Sequence, residues 1–317
     1  MSKTHIKMIK GSLGDQNTTD NTIIEKINQC LRIHDPTAVL TWIFNPILIT
    51  DRCNILKYLI EKDADINKKY DTIIEMSLLH YAISHKNYEL TVYLLQHKID
   101  INSVNIYGDN SLIVAIGNNC YPTIQLLINH GININSINNY GCSIIQYAIG
   151  RPFDTLENKC KIVNYLLDHG VNVFEKNIHG DNLAMYAALY RNYDIIEHII
   201  NKGVDINDTN TDGETLLMYI AYGSLNYQLF EYLCSKGAFI NVEANNKSSV
   251  WTILESKIND EYHMFSETEA KEKNEKILKL LKDTVKQRYQ PYVNEINTLL
   301  PMPIAEEIVP ELYLPFV

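Results

Sequence analysis

The chain has 317 residues with 28 Lys and Arg against 38 Asp and Glu, and its net charge of −10 argues against a protein held to nucleic acid by phosphate contacts. At 46% apolar and 21% charged residues it has ample material for a core, which excludes disorder of the chain as a whole. The N-terminal MSKTHIKMIKGSLGDQ lacks an apolar signal core, and the longest nearly apolar run, Ala38 to Thr50, is broken by Asn45 and Pro46. A soluble, cytoplasmic protein with no membrane partner is therefore expected.

In chain order, NTIIEKINQCLR (21–32) and PTAVLTWIF (36–44) read as helices separated by a break at Asp35 and Pro36. From there the chain repeats itself. Gly108, Gly141, Gly180 and Gly213 are separated by 33, 39 and 33 residues, and Gly131, Gly170, Gly203 and Gly237 by 39, 33 and 34. Two interleaved series with one period mean one repeating unit. The first series opens the segments GDNSLIVA, GCSIIQYA, GDNLAMYA and GETLLMYI, and SLLHYA at 77–82 is an earlier copy with Glu75 in the glycine's place. Each unit closes with a segment such as LLQHKIDIN (94–102) or LINHGININ (127–135), and YLIEKDADIN (58–67) is an incomplete earlier version.

Ser77, Asn110, Ser143, Asn182 and Thr215 carry side-chain oxygens suited to the first free N–H groups of a helix, and so mark five helix starts. Leu79, Ala82, Leu90, Leu94 and Leu95 return at helical spacing as stripes on two short helices. Neither helix buries its stripe alone, so adjacent pairs must stack. Gly131, Gly170, Gly203 and Gly237 suit the left-handed residue that ends a helix. Between Ile149 and Ile162 the segment GRPFDTLENKCK inserts six residues, and with Pro152 it predicts a protruding loop. SSVWTILESK (248–257) continues the first-helix pattern, and EAKEKNEKILKLLKDTVKQR (269–288) reads as the polar-faced cap of the array. The resulting domains are a capping segment at 1–35, a repeat domain with its cap helix at 36–288, and a proline-containing tail at 289–317.

Chemistry is not indicated. No GxxxxGK[ST], GxGxxG or HExxH run occurs, and the six cysteines show no metal or redox spacing. His80, His97, His130, His169 and His198 recur with the repeat, which makes them features of the template. No catalytic residue, metal, cofactor or small-molecule substrate is expected.

The segments resemble ankyrin repeats, whose unit is a β-turn followed by two antiparallel helices. SLLHYAISHKNYELTVYLLQHKIDIN matches that pattern position by position, and the resemblance spans roughly residues 37 to 282. It departs from the family in lacking the proline at the start of the first helix and in keeping the histidine only at His80. The resemblance implies an all-α solenoid of about six or seven repeats with β-turn or hairpin tips, elongated and curved, acting as a non-enzymatic scaffold that binds a partner protein in its concave groove. The bias toward Asn, Ile, Lys and Tyr is similar to that of ankyrin proteins from large DNA viruses of eukaryotes, and implies action on host proteins.

The family's contact positions map here to residues around the turn glycines: Ile106, Tyr107 and Asp109; Asn139 and Tyr140; Ile178, His179 and Asp181; and Asp212. On the first-helix ends they map to Asn118, Leu189, Tyr190 and Tyr222. The family also implies asparaginyl hydroxylation at Asn102 and Asn207. The segment LLPMPIAEEIVPELYL from Leu299 is similar to an F-box-like motif, and implies as an alternative an adaptor that recruits a ubiquitin ligase through the tail.

Overall fold

The computed structural model describes residues 3–49, 52–69, 73–152, 155–223, 226–240, 242–250, 252–254, 256 and 279. Residues 289–317, with the F-box-like segment, and all of the expected cap helix except Lys279 lie outside these. The described helices are α1 (Lys3–Gly14), α2 (Asp20–Leu31), α3 (Pro36–Ile49), α4 (Cys53–Glu61), α5 (Leu78–Ser84), α6 (Tyr88–Gln96), α7 (Ser111–Gly117) and α8 (Tyr121–Asn129). They continue with α9 (Ile144–Gly150), α10 (Leu156–Asp168), α11 (Leu183–Leu189), α12 (Ile196–Asn201, after a 3-10 turn at Tyr193–Ile195), α13 (Leu216–Tyr222) and α14 (Tyr227–Ser235). Among the described residues there is no strand, only isolated antiparallel bridges such as Val104 with Asn110 and Ile137 with Ser143. The fold is all-α, as the period predicts.

The chain forms two compact units, Met1–Tyr147 and Ala148–Val317. In the first unit α1 packs on α2, α3 on α4, α5 on α6 and α7 on α8. Pairs then stack like on like: α1 on α3, α2 on α4, α5 on α7 and α6 on α8. The segment 1–35 is thus itself a helix pair, in which α1 was not foreseen, and α3 runs five residues past the expected end at 44. In the second unit α11 packs on α12, α13 on α14, α11 on α13 and α10 on α12.

All five expected caps form. Ser77 accepts from His80 N–H, Asn110 from Leu112 and Ile113, Ser143 from Gln146, Asn182 from Met185, and Thr215 from Met218. In Ser77-x-x-His80 and Ser143-x-x-Gln146 the second side chain reaches back to the N–H of the first, which satisfies two otherwise orphaned donors together. Ser249 and Thr252 repeat this arrangement at the start of the helical residues around 252–254. The stripes face inward: Leu79, Ala82, Leu90 and Leu94 are buried, while Leu95 is half-buried. The insertion before Ile162 is spent partly on helix, because α10 has 13 residues where α6, α8 and α14 have 9. The protruding loop expected there is correspondingly shorter.

The left-handed positions persist where glycine is absent. Asp63 and Lys98, at φ of 64° and 56°, stand where Gly131 stands two repeats and one repeat later, and Glu75 at 55° stands in the place of Gly108. The backbone geometry is imposed by the stack, at roughly 1–2 kcal/mol for each non-glycine residue held there.

Gly108 and Gly131 both lie near φ +79° but differ in surroundings. A Cβ on Gly131 would meet nothing within 4 Å, whereas on Gly108 it would stand 2.7 Å from the Asn139 backbone nitrogen. Gly131→Ala is expected to cost about 1–2 kcal/mol from φ alone. Gly108→Ala should cost at least about 1 kcal/mol more, because the next tip is pushed off its hydrogen bond. Denaturant unfolding of the two variants checks this, and equal losses would refute it.

Candidate protein-binding surface

Four of the turns at the repeat tips are closed by an asparagine three residues before the glycine. Asn105 Oδ1 accepts from Tyr107 and Asp109 N–H at 2.9 and 3.0 Å, and Asn138 Oδ1 from Tyr140 and Cys142 at 3.1 and 3.0 Å. Asn177 accepts from His179 and Asp181, and Asn210 from Asp212 and Glu214. One short carboxamide thereby satisfies two donors that no helix or sheet would take up. The signal was present in the sequence as Asn-x-x-Gly at 105, 138, 177 and 210, and the reading from glycines alone missed it.

Within each unit, adjacent tips are also joined through the backbone. In the first unit Ile106 N–H donates to Ile74 C=O at 3.0 Å and Asn139 N–H to Tyr107 C=O at 2.9 Å. In the second unit Thr211 N–H donates to His179 C=O at 3.0 Å and Asn245 N–H to Asp212 C=O at 2.8 Å. The exposed residues at the tips therefore project from a fixed backbone. Tyr107 and Tyr140 stack with ring centroids 6.3 Å apart, and Ile106, Tyr107, Tyr140 and Ile178 are 42%, 40%, 72% and 84% exposed. Ile73, Val104 and Ile137 are also exposed and extend this apolar surface in the first unit. Ile73 matches Ile106 and Val104 matches Ile137, each pair one 33-residue repeat apart, the signal by which they could have been found.

The remaining expected contact residues divide. His179, Asp212 and Leu189 are exposed. Tyr222 is exposed and shares a hydrogen bond with Ser248 at 3.0 Å. Tyr190 packs beside Tyr186 with centroids 4.9 Å apart. Asn139 donates its amide to Ile106 C=O at 2.9 Å, and the half-buried Asn118 donates to Ile83 C=O at 2.8 Å, so both also tie repeats together.

Asp109 is half-buried and accepts from Asn138 Nδ2 of the next tip at 3.0 Å. Its counterpart Asp181 is a correction to the sequence reading. It is buried, and its carboxylate accepts from Asn177, Asn210 and the Tyr219 hydroxyl at 2.9, 3.0 and 2.7 Å. Buried polar groups need hydrogen-bond partners, and with these three Asp181 is a structural group out of reach of a partner. Burial, aided by the Asp181 carboxylate, pushes the Tyr219 phenol far above its ordinary value and keeps it a donor.

Asn102 and Asn207, the expected modification sites, bridge consecutive repeats. Asn102 Oδ1 accepts from Asn133 N–H, and Asn207 Oδ1 from Phe239 N–H, each at 2.7 Å. The exposed His97, His130 and His169 each donate from Nδ1 to the carbonyl four residues earlier, at 2.7–2.8 Å, which folds the ring back onto its own helix end. Among the described residues no group of His, Cys, Asp and Glu could hold a metal, and no helix is long and apolar enough to cross a membrane.

Stacked helix pairs with capped first helices are what the repeat period predicts, and the backbone hydrogen bonds between tips come from the structure. The family described as Ankyrin repeats matches in three overlapping copies, at residues 47–138, 79–177 and 153–244, which together cover more than half of the chain. The chain belongs to the ankyrin-repeat family. Ankyrin-repeat proteins are typically non-enzymatic, and the match indicates no catalytic family. No curated protein matches the sequence.

Among solved structures, the ankyrin repeat domain of Bcl-3 is similar over 69% of this chain and 93% of its own, at 12% identity and TM-score 0.55. The human ASB11 ankyrin repeat domain is similar over 65% and 89%, at 20% identity and TM-score 0.52. An ankyrin repeat domain from Acinetobacter baumannii AYE is similar over 56% and 90%, at 24% identity and TM-score 0.50. These likenesses concern the fold.

The family's histidine, His80, has a definable protonation state. It is fully buried; Nδ1 lies 2.7 Å from Ser77 Oγ and accepts from Ser77 N–H, and Nε2 donates to Asp109 C=O at 3.0 Å. A proton on Nδ1 would remove that acceptor, and burial holds the pKa below the ordinary value of 6.5. The folded state thus favours neutral His80, while the unfolded chain takes up a proton below about 6.5, so the stability difference falls as pH drops through that range. The stability advantage of wild type over His80→Gln is accordingly expected to be largest near pH 7–8 and to shrink toward pH 5, as read by thermal unfolding across pH. An advantage that grows on acidification would contradict it.

Proposed function

We propose that this ankyrin-repeat protein is a non-enzymatic scaffold that captures a partner protein on the exposed tips and first-helix ends of its repeats. The observation that carries the reading is the set of rings and branched side chains left in solvent at the tips, at Ile106, Tyr107, Tyr140 and Ile178, on turns already fixed by asparagine and tip-to-tip hydrogen bonds. Tyrosine and isoleucine offer large apolar area, and a preformed backbone lowers the ordering cost of binding. Ankyrin repeats generally mediate protein–protein interaction, which supports the same reading. The composition shared with viral ankyrin proteins extends the proposal to a host protein as the partner. By the same resemblance Asn102 and Asn207 are proposed sites of asparaginyl hydroxylation.

The test compares the intact chain with Tyr107→Ala/Tyr140→Ala and with Ile178→Ser for capture of proteins from host extract, followed by titration of the partner found. Each truncated anchor is expected to weaken binding by about 2 kcal/mol with helical circular dichroism unchanged, because these side chains contribute little to the core. Undiminished binding by both variants would sink the proposal.

A further inference from the structure

Residues 101–147, which carry the last two tips of the first unit, contain one charged residue, Asp109, in a chain that holds 66 (28 + 38). Its carboxylate is half-buried and engaged by Asn138 at 3.0 Å. The corresponding stretch of the second unit, 173–219, by contrast carries eleven charged residues, Lys176, Asp208, Asp212 and Glu214 at its tips among them. On the uncharged tips, side chains at matching positions are exposed in both repeats: Val104 with Ile137, and Tyr107 with Tyr140, flanked by Ile106. The two tips are locked together by the Asn139 N–H to Tyr107 C=O and the Asn139 amide to Ile106 C=O, each at 2.9 Å. These tips leave in solvent a fixed surface of rings, branched apolar side chains and carboxamides, with Asp109 as the one charged residue and half-buried.

Building on the reading of the tips as protein-binding, we propose that the occupant of this face is a second copy of the same chain, joined about a two-fold axis. Two copies that each carry −10 repel wherever their charged surfaces meet. A two-fold contact places one patch against itself, so any charge near its centre faces a like charge. Tyrosine, isoleucine and valine pair with themselves, and carboxamides do so too because each is both donor and acceptor. A different protein could answer any charge on this face with its opposite. In self-pairing a charge at the centre always meets its like, which an uncharged centre avoids.

Sedimentation velocity of the full chain over about 1–300 µM, at about 0.05 M and about 0.5 M NaCl, tests the proposal. The expected result is a monomer–dimer equilibrium that tightens several-fold at the higher salt, as screening removes the repulsion between copies. Tyr140→Glu and Ile137→Glu, on exposed side chains, should each weaken the dimer at least about tenfold by opposing two carboxylates. Tyr140→Phe should retain it. Phe174→Glu, exposed in the second unit, should leave the constant unchanged within about twofold. A monomer at every concentration, a dimer untouched by both glutamates, or a dimer that dissolves as salt rises would overturn the proposal. A monomer whose capture of another protein is still lost in Tyr107→Ala/Tyr140→Ala would overturn self-association and leave the scaffold reading standing.

Discussion

The hydrogen bond from one tip to the next is the constraint on which the other features of the surface depend. It appears between Ile74 and Ile106, Tyr107 and Asn139, His179 and Thr211, and Asp212 and Asn245, always from a backbone N–H to the carbonyl of the preceding tip. Such a bond fixes the spacing of adjacent turns, and with it the separation of Tyr107 and Tyr140. It also explains why Gly108 faces the Asn139 nitrogen too closely to tolerate a side chain. Packing of apolar helix faces supplies the bulk of the cohesion, but it is non-directional and would allow neighbours to slide. The tip bonds set the register.

Asparagine carries out most of the polar work around that constraint, in three geometries. At 105, 138, 177 and 210 it closes the turn on itself. At 67, 102 and 207 it crosses to the next repeat and accepts a backbone N–H there. At 110 and 182 it caps a first helix while its amide donates to the loop that ends the same repeat. The neutral carboxamide suits all three because it both donates and accepts without carrying charge into a half-buried seam. The buried carboxylate of Asp181 instead takes three side-chain donors, two of them asparagine amides. The bias toward asparagine is thus put to structural use, and it leaves the last two tips of the first unit with Asp109 as their one charged residue.

Function follows from what the two sets of bonds leave over. Backbone and carboxamide groups at the tips are spent on holding the tips, so recognition falls to the apolar side chains that project between them. The deep polar groups with perturbed protonation, His80 and Tyr219, face neighbouring repeats and serve the stack.

The sequence by itself determined the repeat unit, the five helix starts and the left-handed helix ends, because each is a local matter. A cap joins residues three apart, and a positive φ is a property of one residue, so residue type and period suffice. Even Glu75 could be assigned the glycine's place from spacing alone. Only the tertiary structure decided the fates of Asp109 and Asp181, which read alike in sequence: the first is half-buried, whereas the second is buried with the Tyr219 hydroxyl, 38 residues away, on its carboxylate. The same holds for α1, which pairs with α2 and stacks on α3, and for Asn118, spent on a carbonyl 35 residues earlier. These outcomes depend on what the neighbouring repeat supplies, and a one-dimensional period states that a neighbour exists without stating which of its atoms arrive.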